Sequence, residues 1–92
     1  MKYIVPKKLI ADTIVAEAIS YYLAKPAGEL TKADLEKVMR LDLEGTDIND
    51  EGLKELAKLQ NLKELTLNGT KVTMAGVGEL RKELPNCDIR WL

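Results

Sequence analysis

The chain has 92 residues, among them 14 Lys and Arg, 15 Asp and Glu, no histidine and one cysteine, for a formal net charge of −1. A chain of this length holds one domain and a thin core. The balanced charge argues against the basic face that nucleic acid or an anionic membrane requires, and the lone Cys87 excludes an internal disulfide framework.

Residues 1–5 read equally as an edge strand or a tail. The first stretch is interrupted by Pro6, Lys7, Lys8, Asp12 and Glu17. It therefore lacks both the apolar core of about 7–15 residues of a signal peptide and the roughly 18 apolar residues of a membrane span. On that basis the sequence predicts a cytoplasmic chain without a membrane segment. Residues from about 8 to 25 read as an amphipathic helix, with Ile10, Ile14, Ile19 and Leu23 on its apolar face. Ala11, Val15, Ala18 and Tyr22 widen that face, while Asp12, Glu17, Ser20 and Lys25 read as solvent surface. Pro26 and Gly28 end the helix. Thr31, followed three residues later by Asp34, is an N-cap pair for a short second helix reaching about Val38.

Beyond this point leucine organises the chain. Shifted by 24 residues, the segment 38–61 aligns with 62–85. Leu41/Leu65, Leu43/Leu67, Gly45/Gly69, Thr46/Thr70, Gly52/Gly76, Glu55/Glu79, Leu56/Leu80 and Lys58/Lys82 are identical pairs. A third unit opens at Asn86 and places Ile89 and Trp91 where Leu65 and Leu67 stood. A fixed period in the range of about 20–29 residues, headed by L-x-L, is the signature of a leucine-rich repeat. Leu41 and Leu43 alternate with Arg40, Asp42 and Glu44, which is strand periodicity, and segments 64–68 and 88–92 repeat it. Asn49 and Thr73 sit at equivalent positions and suit the N-caps of crossover helices. Behind them Leu53, Leu56 and Leu59, then Val77, Leu80 and Leu84, form apolar stripes. Pro85 stops the second helix. Gly45 and Gly69 suit turns with unusual backbone angles, and Gly52 and Gly76 suit close helix–sheet approach. The hydroxyls of Thr46 and Thr70 can bond the turn backbone.

The pattern L-x-L-x-G-T-x-[IV]…G-[LV]-x-x-L resembles bacterial leucine-rich repeats of the short, roughly 24-residue type, and LAKPAGELTKADLEKV (23–38) resembles the helical caps that precede them. The resemblance implies an α/β fold: a right-handed solenoid with about three short parallel strands on its concave side, helices on its convex side and a helical N-terminal cap. It also implies protein binding. The expected layout of this single domain is a cap over 1–37, repeats over 38–61 and 62–85, and a terminal strand over 86–92.

The concave ladder gives the candidate protein-contact residues: Arg40, Asp42, Glu64, Thr66, Asp88 and Arg90, with Trp91 and Leu92 at the open end. Neighbouring strands can neutralise one another there, as Arg40 with Glu64. Three strands about 4.8 Å apart cover only about 200 Å², against about 800 Å² per partner in a specific interface. Trp91 reads either as a lid over the core or as part of an open edge that pairs with a second copy to make a homodimer. Tyr21 and Tyr3 are the other candidate anchors, and packing at the cap is the plainer use of both.

Catalysis has little to work with. No histidine is present, Ser20 is the only serine, and Cys87 has no His partner. The segment from Asp47 to Gly52 imitates the start of an EF-hand loop, but its twelfth position is Lys58 where calcium requires Glu. The sequence thus points to a non-enzymatic interaction module without cofactor or metal, whose partner is an unidentified protein. The alternative is a structural solenoid that self-associates through its last strand.

Overall fold

The computed structural model describes Ile10 and residues 12–91. The expectations placed on residues 1–5, Tyr3 and Leu92 lie outside the described residues. Among the described residues four helices and three strands follow in the order α1 (Thr13–Leu23), α2 (Lys32–Glu36), β1 (Arg40–Asp42), α3 (Asp50–Leu56), β2 (Glu64–Thr66), α4 (Met74–Glu83) and β3 (Asp88–Arg90), with a 3-10 turn (Ala27–Glu29) before α2.

The strands form one parallel sheet in the order β1-β2-β3. Arg40 pairs with Glu64 and Glu64 with Asp88; Leu41, Leu65 and Ile89 stand in the next row. The register therefore advances 24 residues from each strand to the next (40 to 64, 64 to 88). Each strand buries its central residue and turns its neighbours outward, as the period of two demands. The strands span three residues, shorter than the five-residue alternation in the sequence. The apolar alternation nevertheless runs on, because Leu43 and Leu67 are buried just past the strand ends.

Two glycines make the turns behind β1 and β2 possible. Gly45 and Gly69 have φ of +73° and +71°, a region that strains any residue with a Cβ. Thr46 and Thr70 then donate to the carbonyls of Leu43 and Leu67 at 2.8 and 2.7 Å, as their hydroxyls predicted. Asn49 caps α3, accepting from Glu51 N at 3.1 Å, and Thr73 caps α4, accepting from Gly76 N at 3.2 Å. The stripes behind these caps are buried: Leu53, Leu56 and Leu59 in one crossover, Val77, Leu80 and Leu84 in the next. They join the sheet residues in a single core with Val15, Ile19 and Leu35 of the N-terminal helices.

The structure corrects three expectations. First, α1 starts at Thr13 instead of about residue 8, because the Asp12 carboxylate accepts from Val15 N at 3.0 Å and caps it there; Ile10 is buried but lies ahead of the helix. The helix also ends before Pro26, at Ala24, which adopts a left-handed conformation with φ of +53°. Second, of the polar residues expected as plain solvent surface, Glu17 is exposed but Asp12, Ser20 and Lys25 are engaged. Ser20 donates to the Lys25 carbonyl, and Lys25 reaches the buried Asp34 carboxylate at 2.6 Å. Third, Gly52 and Gly76 make room for side chains, not for the sheet. A Cβ on Gly52 would meet Ile48 and the Asp12 carboxylate, and one on Gly76 would meet the Asp50 carboxylate.

Candidate functional site

The sheet face opposite the helices carries Arg40, Asp42, Glu64, Thr66, Asp88 and Arg90, and all but the half-buried Thr66 are exposed. The structure brings these six into one two-row lattice. Charge is largely settled within it. Arg40 Nε lies 2.8 Å from Glu64 Oε2, and Arg90 Nε lies 3.6 Å from Asp88 Oδ2. Asp42 is the acid left over, its Oδ1 accepting from Glu44 N at 3.0 Å. The Arg40–Glu64 and Arg90–Asp88 pairs are exposed, and such pairs contribute little to stability.

At the far side of the sheet, Trp91 is half-buried and packs against the core. The Arg81 guanidinium reaches back along α4 to the Ile89 carbonyl at 3.5 Å. Cys87 beside it is also half-buried. Its thiol is pushed up by burial, and the carboxylates of Asp88 and Glu64 add to the shift. A thiol held protonated is a poor nucleophile. Among the described residues no cluster of His, Cys, Asp and Glu could hold a metal ion.

At the opposite edge, β1 lies beside α1, and the two enclose a groove of about 630 Å³. Ile14, Glu17, Ala18, Tyr21 and Tyr22 line it from the helix; Arg40, Asp42 and Thr46 line it from the strand side. Tyr21 is 90% exposed and Tyr22, expected on the apolar face, 41%. Sequence reasoning named Tyr21 as an anchor but missed the groove. Helix and strand are separated in sequence by the 3-10 turn and α2, so only their packing reveals it. A second groove, about 510 Å³, runs between α3 and α4 with Asp50, Glu51, Glu79 and Glu83 on its rim. Three of those acids are engaged: Asp50 with Thr73, Glu51 with Lys54 and Glu79 with Lys82.

No protein-family model and no curated protein matches the sequence. Among solved structures, a secreted internalin-like protein of Listeria monocytogenes superposes with a TM-score of 0.73 over 97% of this chain, at 23% identity. The fold is leucine-rich-repeat-like. In that frame the groove adjoins the sheet's open face at its first strand, and Trp91 stands at its last. The chain spans 35% of the length of the Listeria protein, and at this identity the likeness speaks for the fold alone. No helix among the described residues is long and apolar enough to cross a membrane.

Proposed function

We propose that this chain is a non-catalytic protein-interaction module. Its contact surface runs from the open face of the sheet, across β1, into the groove beneath α1. The observation that carries this reading is the position of Tyr21 and Tyr22, exposed on that groove next to Arg40 and Asp42. Exposed aromatics beside a hydrogen-bonding surface are favoured anchors at interfaces. The groove also answers the shortage of area, since the three-residue strands alone offer only about 140 Å².

Within this reading the crossovers are right-handed, as parallel connections almost always are. The chain then divides into a cap over 1–37, repeats over 38–61 and 62–85, and a terminal strand over 86–92. Arg81 favours a foreign partner over self-association through β3, because its guanidinium occupies a carbonyl that a second copy would need.

A photo-reactive residue placed at Thr66, at Tyr21, or at Lys58 on α3's side of the molecule tests the assignment in extracts of the native source. Adducts from Thr66 and Tyr21 but not from Lys58 are expected. Equal labelling from all three positions, or none from the first two, overturns it.

A further inference from the structure

We propose that the outer edge of β1 takes an extended peptide of alternating apolar and basic residues as an added strand, seated in the α1 groove. This rests on the interaction-module reading and names the partner's chemistry. Leu43 N and Gly45 N donate to Thr66 and Asn68 carbonyls of the β2 segment, each at 2.9 Å, and Lys63 N donates back to the Met39 carbonyl at 2.7 Å. Odd-numbered residues thus face β2. With a period of two, the main-chain groups of Arg40, Asp42 and Glu44 turn outward. The Glu44 N–H is already taken by the Asp42 carboxylate. Asp42 therefore presents an N–H and a C=O to the edge, with the Arg40 carbonyl before it, and no strand pairs there among the described residues. Such a row recognises an extended backbone.

Side chains of an added strand would alternate between two surroundings. On the core side they meet Ile14 and Ala18, an apolar wall. On the open side they meet Asp42, whose charge no Lys or Arg neutralises among the described ion pairs; Arg40 is committed to Glu64. Glu17 adds a second acid on the groove's rim. Charge complementarity therefore calls for Lys or Arg on one face of the peptide and small apolar residues on the other. The groove's volume of about 630 Å³ is that of an ordinary ligand site.

The test uses the full chain and an end-blocked Lys-Val-Lys-Val-Lys peptide, read by fluorescence anisotropy and by amide shifts in NMR. Saturable binding with shifts centred on Arg40, Asp42 and Glu17 is expected. Glu17→Lys and Tyr21→Ala, both at exposed positions, should each weaken it about tenfold. A peptide N-methylated on every residue keeps its charge but has no N–H to pair as a strand on either edge, so its binding should be lost. Equal binding of the methylated peptide overturns strand addition, leaving only adhesion of charge. Binding that requires removal of residues 1–9 assigns the edge to the chain's own N-terminus and overturns the proposal. Concentration-dependent shifts at Asp42 without peptide assign it to a second copy, with the same consequence. If no peptide binds while the Thr66 and Tyr21 adducts persist, strand addition fails and the module reading stands.

Discussion

Asp50 and Gly76 show how one residue pair can lock two repeats together. The Asp50 carboxylate accepts from the Thr73 N–H at 2.8 Å and from the Thr73 hydroxyl at 2.6 Å. Those bonds hold it below its usual carboxylate range. The acid at the start of α3 therefore orients the residue that caps α4, and it does so in the space left by the missing side chain of Gly76. An alanine at position 76 would drive its Cβ into a carboxylate that cannot swing away without giving up Thr73. In an open helix, by contrast, Ala is favoured over Gly by about 1 kcal/mol. The effect of Gly76→Ala should accordingly change sign with its background. In the wild-type chain it destabilises; in Asp50→Ala, itself about 1 kcal/mol less stable through its lost hydrogen bonds, it stabilises. Chemical denaturation of the four chains of this double-mutant cycle measures the coupling. Additive effects would show that the two residues act independently. The 24-residue repeat gave no warning of this contact, because position 74, equivalent to Asp50, is a methionine.

At the scale of elements, the sequence was most informative where a local rule acts alone. Asn49, Thr73 and the Thr31–Asp34 capping box all stand where their side chains predicted, since an N-cap needs only three or four consecutive residues. The groove beneath α1 was illegible because it depends on how α1 docks on β1, which no local pattern encodes. The start of α1 was misjudged because Asp12 falls inside an apolar periodic run, where its capping role is masked by the alanines and isoleucines around it. The join between α1 and α2 was likewise hidden. There the Lys25 ammonium, 2.6 Å away, and the Thr31 N–H, 2.9 Å away, hold the Asp34 carboxyl well down, at about 2 against an ordinary 3.8. A carboxyl with a depressed folded-state pKa contributes stability that is complete above its unfolded value and is lost as pH falls through its folded value. The cap should therefore weaken progressively from about pH 4 to about pH 2. Thermal midpoints recorded across that window should fall more steeply for the wild type than for Asp34→Asn, which starts lower at neutral pH. Some slope should survive in the variant, because Asp50 is depressed as well. Parallel curves for the two chains would remove Asp34 as the source of acid sensitivity.

Over the whole molecule the two sheet edges are treated differently, and the difference bears on what the chain can assemble with. The β1 edge adjoins a groove with exposed tyrosines and uncommitted acid; the β3 edge is closed more tightly. Asp88 N donates inward to the Lys63 carbonyl at 2.8 Å, and the Arg90 carbonyl accepts from Leu67 N at 2.7 Å, so the main-chain groups of Ile89 turn outward. Arg81, from the last turn of α4, donates to the Ile89 carbonyl. A charged side chain folded over an edge carbonyl is a recognised way to stop a strand from recruiting another. Trp91 adds bulk at the same edge while packing into the core, so both of the roles weighed for it from sequence can be separated by leaving it in place and removing Arg81. Arg81 is exposed and contributes no core area, which makes Arg81→Ala a clean probe of edge closure. If the guanidinium is what keeps β3 from pairing, the wild type stays monomeric at high micromolar concentration in light scattering, and Arg81→Ala shifts toward a dimer without losing helical circular dichroism. Asp88→Ala, which breaks only the exposed pair with Arg90, should leave the mass unchanged. A wild-type dimer that Trp91→Lys dissolves would instead make β3 the assembly surface, and an Arg81→Ala monomer would leave Trp91 as the barrier.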